Sequence, residues 1–472
     1  MGSQYFAIQG DPDMKECDLA RLLRLVLSAV FLLGTILFEA RSQENLLTVA
    51  KQEDLKKLNA LLDQGANVNM KDNDGCTALM WVARDNLRGS TPLMKALLEH
   101  GADVYAKDRD SSTALRYATH TYNGNVDNVR LLLEYKSDTE ARDRGGFTPL
   151  IIAAQCGNLK VVQALLEKGA SANATSKEGY TPLIVSSRNG STEIVKALIE
   201  KNANVNQWNP KSIVSMSPLL CAVGNVHPEV VTLLLQHGAE VNVKGVDGET
   251  PLIKSARSSK PEIVRALLDK GADKKAKGEY GRLAIHIAAE GCPTELMQLL
   301  LDNGFSVKDR NGFGETPLYV AVKANQMEVV KLLLDHGAEI NSKGTDGSTP
   351  VFAAAINGKT QMVKFLLEKG ADAKIMPQDG QLLPFRAMTY GTLEMLEAIL
   401  KRGADVDTKM ATGETLLIMA AANNKLDMVR FLVGAGASVN AKTKDGLTAL
   451  KAATRNHYSK IAEYLKEAGA KE

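Results

Sequence analysis

Residues 143–173 read DRGGFTPLIIAAQCGNLKVVQALLEKGASAN, and the fold is decided there. Pieces of the same phrase recur as GYTPLI at 179–184, GETPLI at 248–253 and GETPLY at 314–319. A catalytic centre would use such a phrase once, so its recurrence marks a repeated structural unit. Within the stretch each residue has a physical role. Thr148 can cap a first helix through its hydroxyl, and Pro149 falls at the first helical position, where its missing N–H costs nothing. Ala153 and Ala154 are small enough to let neighbouring helices approach. Val161, Val162, Leu165 and Leu166 give a second helix an apolar face at helical spacing. Gly169 supplies the left-handed turn that ends it.

Glycine measures the period. Gly65, Gly101, Gly169, Gly238, Gly271, Gly337, Gly370, Gly403, Gly436 and Gly469 each precede an alanine, and Lys136, Asn202 and Gly304 hold the remaining places. From Gly238 onward every step is 33 residues. Four positions before each of these thirteen markers stands an aliphatic residue, from Leu61 to Leu465, which makes that position core. A 33-residue period with T-P-L and a Leu-rich second helix resembles the ankyrin repeat. The resemblance spans about residues 43–472, or thirteen repeats. It implies an all-α fold: helix-turn-helix units joined by β-hairpin loops and stacked as an ankyrin-type α-solenoid, with polar terminal caps. Lys466 breaks the apolar seam in the last repeat and Lys57 breaks it in the first, as caps should. Asn128 breaks it in the third repeat, where no cap is needed and the sequence offers no reason.

Several repeats depart from the pattern. The second is lengthened around RDNLRGS (84–90), the third around HTYNGN, and QWNPKSIVSM (207–216) enlarges one hairpin. The eighth and eleventh carry RLAIHIAAEG and QLLPFRAM in place of T-P-L, which weakens their helix starts without shifting the register.

The N-terminus differs from everything after it. Arg21 and Arg24 precede LVLSAVFLLGTILF (25–38), an apolar run of signal-peptide length, shorter than the roughly 20 residues of a membrane span. Ala40-Arg41-Ser42 is a small-x-small cleavage candidate. The expectation is a signal peptide over residues 1–42 and export to a bacterial periplasm or cell envelope. An uncleaved anchor through residues 22–38 is the alternative.

Composition excludes several function classes. Lys and Arg number 57 against 55 Asp and Glu, so no basic field points to nucleic acid. The five cysteines form no C-x-x-C pair and no cluster with histidine at metal-ligand spacing. Cys76, Cys156, Cys221 and Cys292 fall in alternate repeats. At roughly 8–10 Å per repeat they lie too far apart for disulfides, so free thiols are expected even after export. His100, His237 and His336 lie at the ends of second helices, where a cation complements the helix dipole. The ankyrin resemblance implies that His286 is a hydrogen-bonded histidine bridging repeats. Asn69, Asn206, Asn242, Asn341 and Asn440 suit the turn into the hairpin. Asn173 and Asn189 match glycosylation patterns that are common by chance. No phosphate loop, catalytic grouping, cofactor motif or metal-spaced carboxylate set is present.

What remains is surface. The resemblance implies a concave face, formed by the hairpins and the ends of the first helices, that binds partner proteins. Carried over position by position, the hairpin residues are Arg144, Phe147, Tyr180, Tyr280, Arg282 and Phe313, and the helix-end residues are Arg188, Arg257, Lys323 and Tyr390. Trp208, beside the enlarged loop, is a further candidate. Aromatic residues and Arg are the commonest interface anchors. The expected protein is a monomeric, non-catalytic scaffold binding protein partners around repeats four to nine. The alternatives are a membrane-anchored spacer and a small-molecule binder or enzyme acting at loop 207–216.

Overall fold

A computed structural model describes residues 46–84, 90–120, 125–208, 217–258 and 260–471. The apolar run at 25–38, the cleavage candidate and most of the three enlarged loops lie outside the described residues. No helix among the described residues is long and apolar enough to cross a membrane.

The chain forms two compact units, one ending at Asn204 and holding the first five repeats, the other starting at Val205 and holding the remaining eight. Both are all-α solenoids. In the fourth repeat the first helix runs Pro149–Gln155 and the second Leu159–Glu167, and the same pair recurs along each unit. First helices pack on first helices of the next repeat and second helices on second helices. The alanine pairs make this possible: Ala153 and Ala154, and their counterparts Ala288 and Ala289, have no exposed surface. On the other side of each repeat Val161, Val162 and Leu165 are equally buried. Every marker residue ends its helix in the left-handed region, Gly169 at φ +87° and its stand-ins Lys136 and Asn202 at +62° and +60°.

Caps follow the sequence. Thr148, Thr181, Thr250 and Thr316 each accept a hydrogen bond on Oγ1 from the backbone N–H three residues on. Where T-P-L is missing, the helices Ala284–Gly291 and Leu383–Tyr390 still form, without a side-chain cap from Leu283 or Leu382. Lys57 and Lys466, in the first and last seams among the described residues, are both exposed. Asn128 is fully buried, and the structure supplies the reason that the sequence withholds. Its Nδ2 donates to Ser90 Oγ at 2.7 Å and its Oδ1 accepts from Thr91 Oγ1 at 2.6 Å, both on the preceding second helix.

The hairpin loops are turns closed by a single hydrogen bond across their base, such as Asp143 N–H to Phe147 C=O at 3.2 Å. Among the described residues, strand-like pairing is confined to one bridge, Lys409 with Thr415. Adjacent tips are tied by backbone: Arg109 N–H donates to Asp74 C=O, Arg144 to Asp110, Lys177 to Gly145, Gly312 to Tyr280 and Thr345 to Phe313, over 2.7–3.0 Å. This stitching favours a glycine at Gly146, although Ser111 holds the equivalent place of the preceding hairpin at φ +60°. The φ of Gly146 is +78°, and a Cβ there would lie 2.9 Å from Lys177 N of the next hairpin.

The asparagines do more than turn the chain. Asn69 donates Nδ2 to Gly101 C=O at 3.1 Å and accepts on Oδ1 from Asp103 N–H at 2.7 Å, so it bridges to the next repeat. Asn173, Asn206, Asn242 and Asn440 repeat both bonds. His286 bridges repeats as expected: its buried Nε2 lies 3.2 Å from the carbonyls of Asp309 and Glu315. Cys76, Cys156, Cys221 and Cys292 are free thiols.

Candidate protein-binding surface

Hairpin tips and the ends of first helices share one face of each repeat, so equivalent side chains recur one repeat spacing apart. In the first unit this brings together Phe147 and Tyr180, whose rings stack at 6.1 Å between centroids and 26° between planes. Both are half-buried, so each covers the other while one edge stays open. Together with Gln155, Glu178 and the exposed Arg188 they border a cleft. Arg144 is solvent-exposed and its guanidinium comes within 3.9 Å of Asp110 on the preceding tip.

In the second unit Tyr280 and Phe313, two positions earlier in their hairpins, form another pair, tilted by 30° at 5.6 Å. They differ from the first pair in exposure, at 58% and 50%. Tyr280 also holds φ at +54°, a conformation unfavourable for a residue with a Cβ. Gly312 allows it, because a Cβ there would lie 2.6 Å from Tyr280 O. Backbone strain of this kind collects at binding and catalytic sites. Tyr390 is also exposed, and Trp208 is partly so, beside Val205, Leu219 and Val243 in a smaller cleft.

The charged candidates are engaged within the chain. Arg257 meets Glu249 with two parallel bonds, Nη1 to Oε2 at 2.5 Å and Nη2 to Oε1 at 2.6 Å. Arg282 pairs with Glu290 at 2.5 Å and Lys323 with Glu315 at 3.2 Å. All three pairs join the residue before a first helix to the residue at its end, eight positions on, with the sign reversed in the middle repeat. The bond to Glu249 raises the pKa of Arg257, with partial burial opposing. Glu249 is nearly buried, so Arg257 neutralises a carboxylate that the fold has already desolvated. These cations therefore hold the face in shape, and a partner would meet a row of alternating charge.

One cluster escaped the sequence reading. Trp81 and Tyr117 occupy the same position of the second and third first helices, four residues after Thr77 and Thr113. Each donates to the Asp that builds its own hairpin: Trp81 Nε1 to Asp72 Oδ2 at 2.7 Å, and Tyr117 OH to Asp108 Oδ2 at 2.5 Å. The other oxygen of each Asp accepts two backbone N–H groups of its turn. In the fourth repeat Ile152 replaces the aromatic residue, and Asp143 takes Arg116 instead, at 3.1 Å. Burial and the Asp108 carboxylate push the Tyr117 phenol well above its ordinary range. Burial raises the pKa of Asp72, but the Trp81 and backbone donors outweigh it and hold the carboxyl below its usual value. A readable signal existed: Asp five residues before the first-helix threonine occurs at 72, 108 and 143, with an aromatic residue nine positions on in the first two.

Among the described residues no cluster of His, Cys, Asp and Glu could hold a metal ion. His286, the buried histidine, has both ring nitrogens committed to the backbone. No curated protein matches the chain. The family described as Ankyrin repeats (3 copies) matches residues 46–143, 121–209, 208–278, 285–377, 343–410 and 384–472, which together span nearly all of the described chain. With these matches and the helical pairs, stitched tips and buried alanine seams of both units, the chain belongs to the ankyrin repeat family.

Proposed function

We propose that the chain is a non-catalytic scaffold that binds partner proteins through its hairpin tips and first-helix ends, and that it works after export from the cytoplasm. Ankyrin repeats generally mediate protein–protein binding, and the repeats take up nearly all of the described chain. The observation that carries the reading is the aromatic pair Tyr280–Phe313, each residue roughly half open to solvent and Tyr280 held at a left-handed φ. Large aromatic side chains with little conformational freedom are the usual energetic centres of interfaces. Phe147 and Tyr180 offer a second, flatter pair, and the polar ladder of Glu249, Arg257, Arg282 and Lys323 supplies a rim that discriminates by charge.

The test is capture of partners from the native compartment by the wild-type chain and by Tyr280→Ala/Phe313→Ala and Phe147→Ala/Tyr180→Ala variants. Loss of specific partners with the first variant is the expected result. Unchanged recovery with both would remove these residues from the interface. N-terminal sequencing of the native protein tests export: a chain starting near Ser42 is expected, and an intact N-terminus would favour a tethered form.

A further inference from the structure

We infer that the cleft running from the second to the fourth repeat is a binding site for an acidic peptide segment of a partner protein. The inference rests on the scaffold reading and adds to it a place and a partner chemistry. The cleft has a volume of about 540 Å³ and lies outside the aromatic pairs described above. Of its carboxylates, the exposed Asp74 and Asp110 face Arg109 and Arg144, and the half-buried ones are used within the fold. Asp72, Asp108 and Asp143 each spend one oxygen on their own turn and the other on Trp81, Tyr117 or Arg116. Its aromatic faces are used as well. Lys51 Nζ sits 3.8 Å from the centre of the Trp81 ring, and Arg84 lies over both Trp81 and Tyr117, at 5.3 and 5.9 Å. A cationic ligand would have to displace the chain's own cations.

The uncommitted capacity is donor capacity. Arg84 is exposed, and no carboxylate among the described residues lies within ion-pair distance of its guanidinium. Its head lies over the two rings, and a guanidinium carries a fork of N–H donors that suits a carboxylate. Farther along, Arg109 and Arg144 reach Asp74 and Asp110 only at 3.8 and 3.9 Å, with all four side chains more than 70% exposed. Such pairs are weak and easily exchanged. Arg84, and Arg109 and Arg144 once they exchange Asp74 and Asp110 for carboxylates of the ligand, thus offer one cation in each of three consecutive hairpin or helix-end positions. Two repeat spacings of roughly 8–10 Å each match about five or six extended residues. A single small anion would meet only one of these arginines, whereas an extended acidic segment meets all three.

The experiment uses the full chain with Trp208→Phe, so that Trp81 fluorescence reports on the cleft. It is titrated with a synthetic peptide rich in Asp and Glu and with its Lys-rich counterpart. The acidic peptide should bind, with affinity falling as salt is raised. Arg84→Ala should weaken it about tenfold or more, and Arg84→Lys should recover only part, because an ammonium neither stacks nor forks. Arg265→Ala, on a second helix of the other unit, should leave affinity unchanged. Preference for the Lys-rich peptide, absence of acidic-peptide binding, or indifference to Arg84→Ala with the fold intact by circular dichroism would overturn the site. Failure here, with partner capture still dependent on Tyr280 and Phe313, would leave the scaffold reading standing. Arg84-dependent peptide binding without any protein capture would support the site and count against the wider role of the tips.

Discussion

Asn128 and Ser90 meet at 2.7 Å between two second helices, in a seam position where most repeats carry an aliphatic residue. Both side chains are fully buried, and Thr91 closes the group by donating to Asn128 Oδ1 and accepting from Asn125. Removing one member strands the others away from water. Asn128→Ala should therefore cost about 1–3 kcal/mol in urea unfolding of the first unit. Replacing the group together, as Ser90→Ala/Thr91→Val/Asn128→Leu, should recover most of that loss, because the buried amide and both hydroxyls it meets go together, and the half-buried Asn125, which loses Thr91, can turn to water. Additive losses in the triple variant would contradict the account.

His286 predicts a pH dependence. Its Nε2 faces two carbonyls and its Nδ1 accepts from Leu283 N–H, so the native ring is neutral with the proton on Nε2. Burial holds its pKa below the ordinary 6.5, with the backbone carbonyls opposing. The unfolded chain then binds a proton in a pH range where the native chain does not. Stability is unaffected above about pH 7, falls as pH drops through 6.5, and levels off below the native pKa. The difference in stability between wild type and His286→Gln, measured by urea unfolding from pH 7.5 to 5, should shrink as the pH falls. A constant difference would mean that the ring takes up its proton equally in the folded and unfolded chain, and a growing one that folding favours the protonated ring.

Val226 is a residue in the wrong conformation. It holds φ at +62°, where the equivalent residues Gly157, Gly190 and Gly358 stand at +72°, +73° and +64°. A β-branched side chain pays heavily there, while glycine adopts the region freely. Val226 is also partly exposed, so little packing is lost by removing it. Val226→Gly should stabilise the second unit by about 1 kcal/mol, read as a higher urea midpoint. A lower midpoint would show that the valine side chain contributes packing that outweighs the strain.

The period, the helix pair, the caps and the free thiols were legible because each rests on a residue type with a single local role, such as a threonine hydroxyl, a proline ring or a glycine without Cβ. Those roles recur along thirteen repeats, so the pattern survives its exceptions. What escaped depends on contact between repeats. Asn128 is legible only beside Ser90, the asparagine bridges only beside the next marker residue, and the Trp81–Asp72 pair only once the hairpin folds back on the helix. The charged candidates illustrate the same limit. Arg257, Arg282 and Lys323 look like free anchors in the sequence, yet each has a carboxylate eight residues away that the turn brings within reach.

The asparagine bridges can be taken apart atom by atom. Asn69 uses both ends of its amide, donating to Gly101 C=O and accepting from Asp103 N–H. Other repeats indicate which end carries the joint. Glu140 Oε1 accepts from Ser171 N–H at 2.8 Å, and Asp407 Oδ1 accepts from Ser438 N–H at 2.8 Å, with no amide donor at either place. The acceptor is the shared element. Asn69→Ala should cost about 1 kcal/mol and speed hydrogen exchange at Asp103 N–H, since that donor loses its partner. Asn69→Asp keeps an acceptor in the same place and should retain most of the protection at Asp103, even though the bond to Gly101 is gone. Equal loss of protection in the two variants would move the joint to the donor side and refute the assignment.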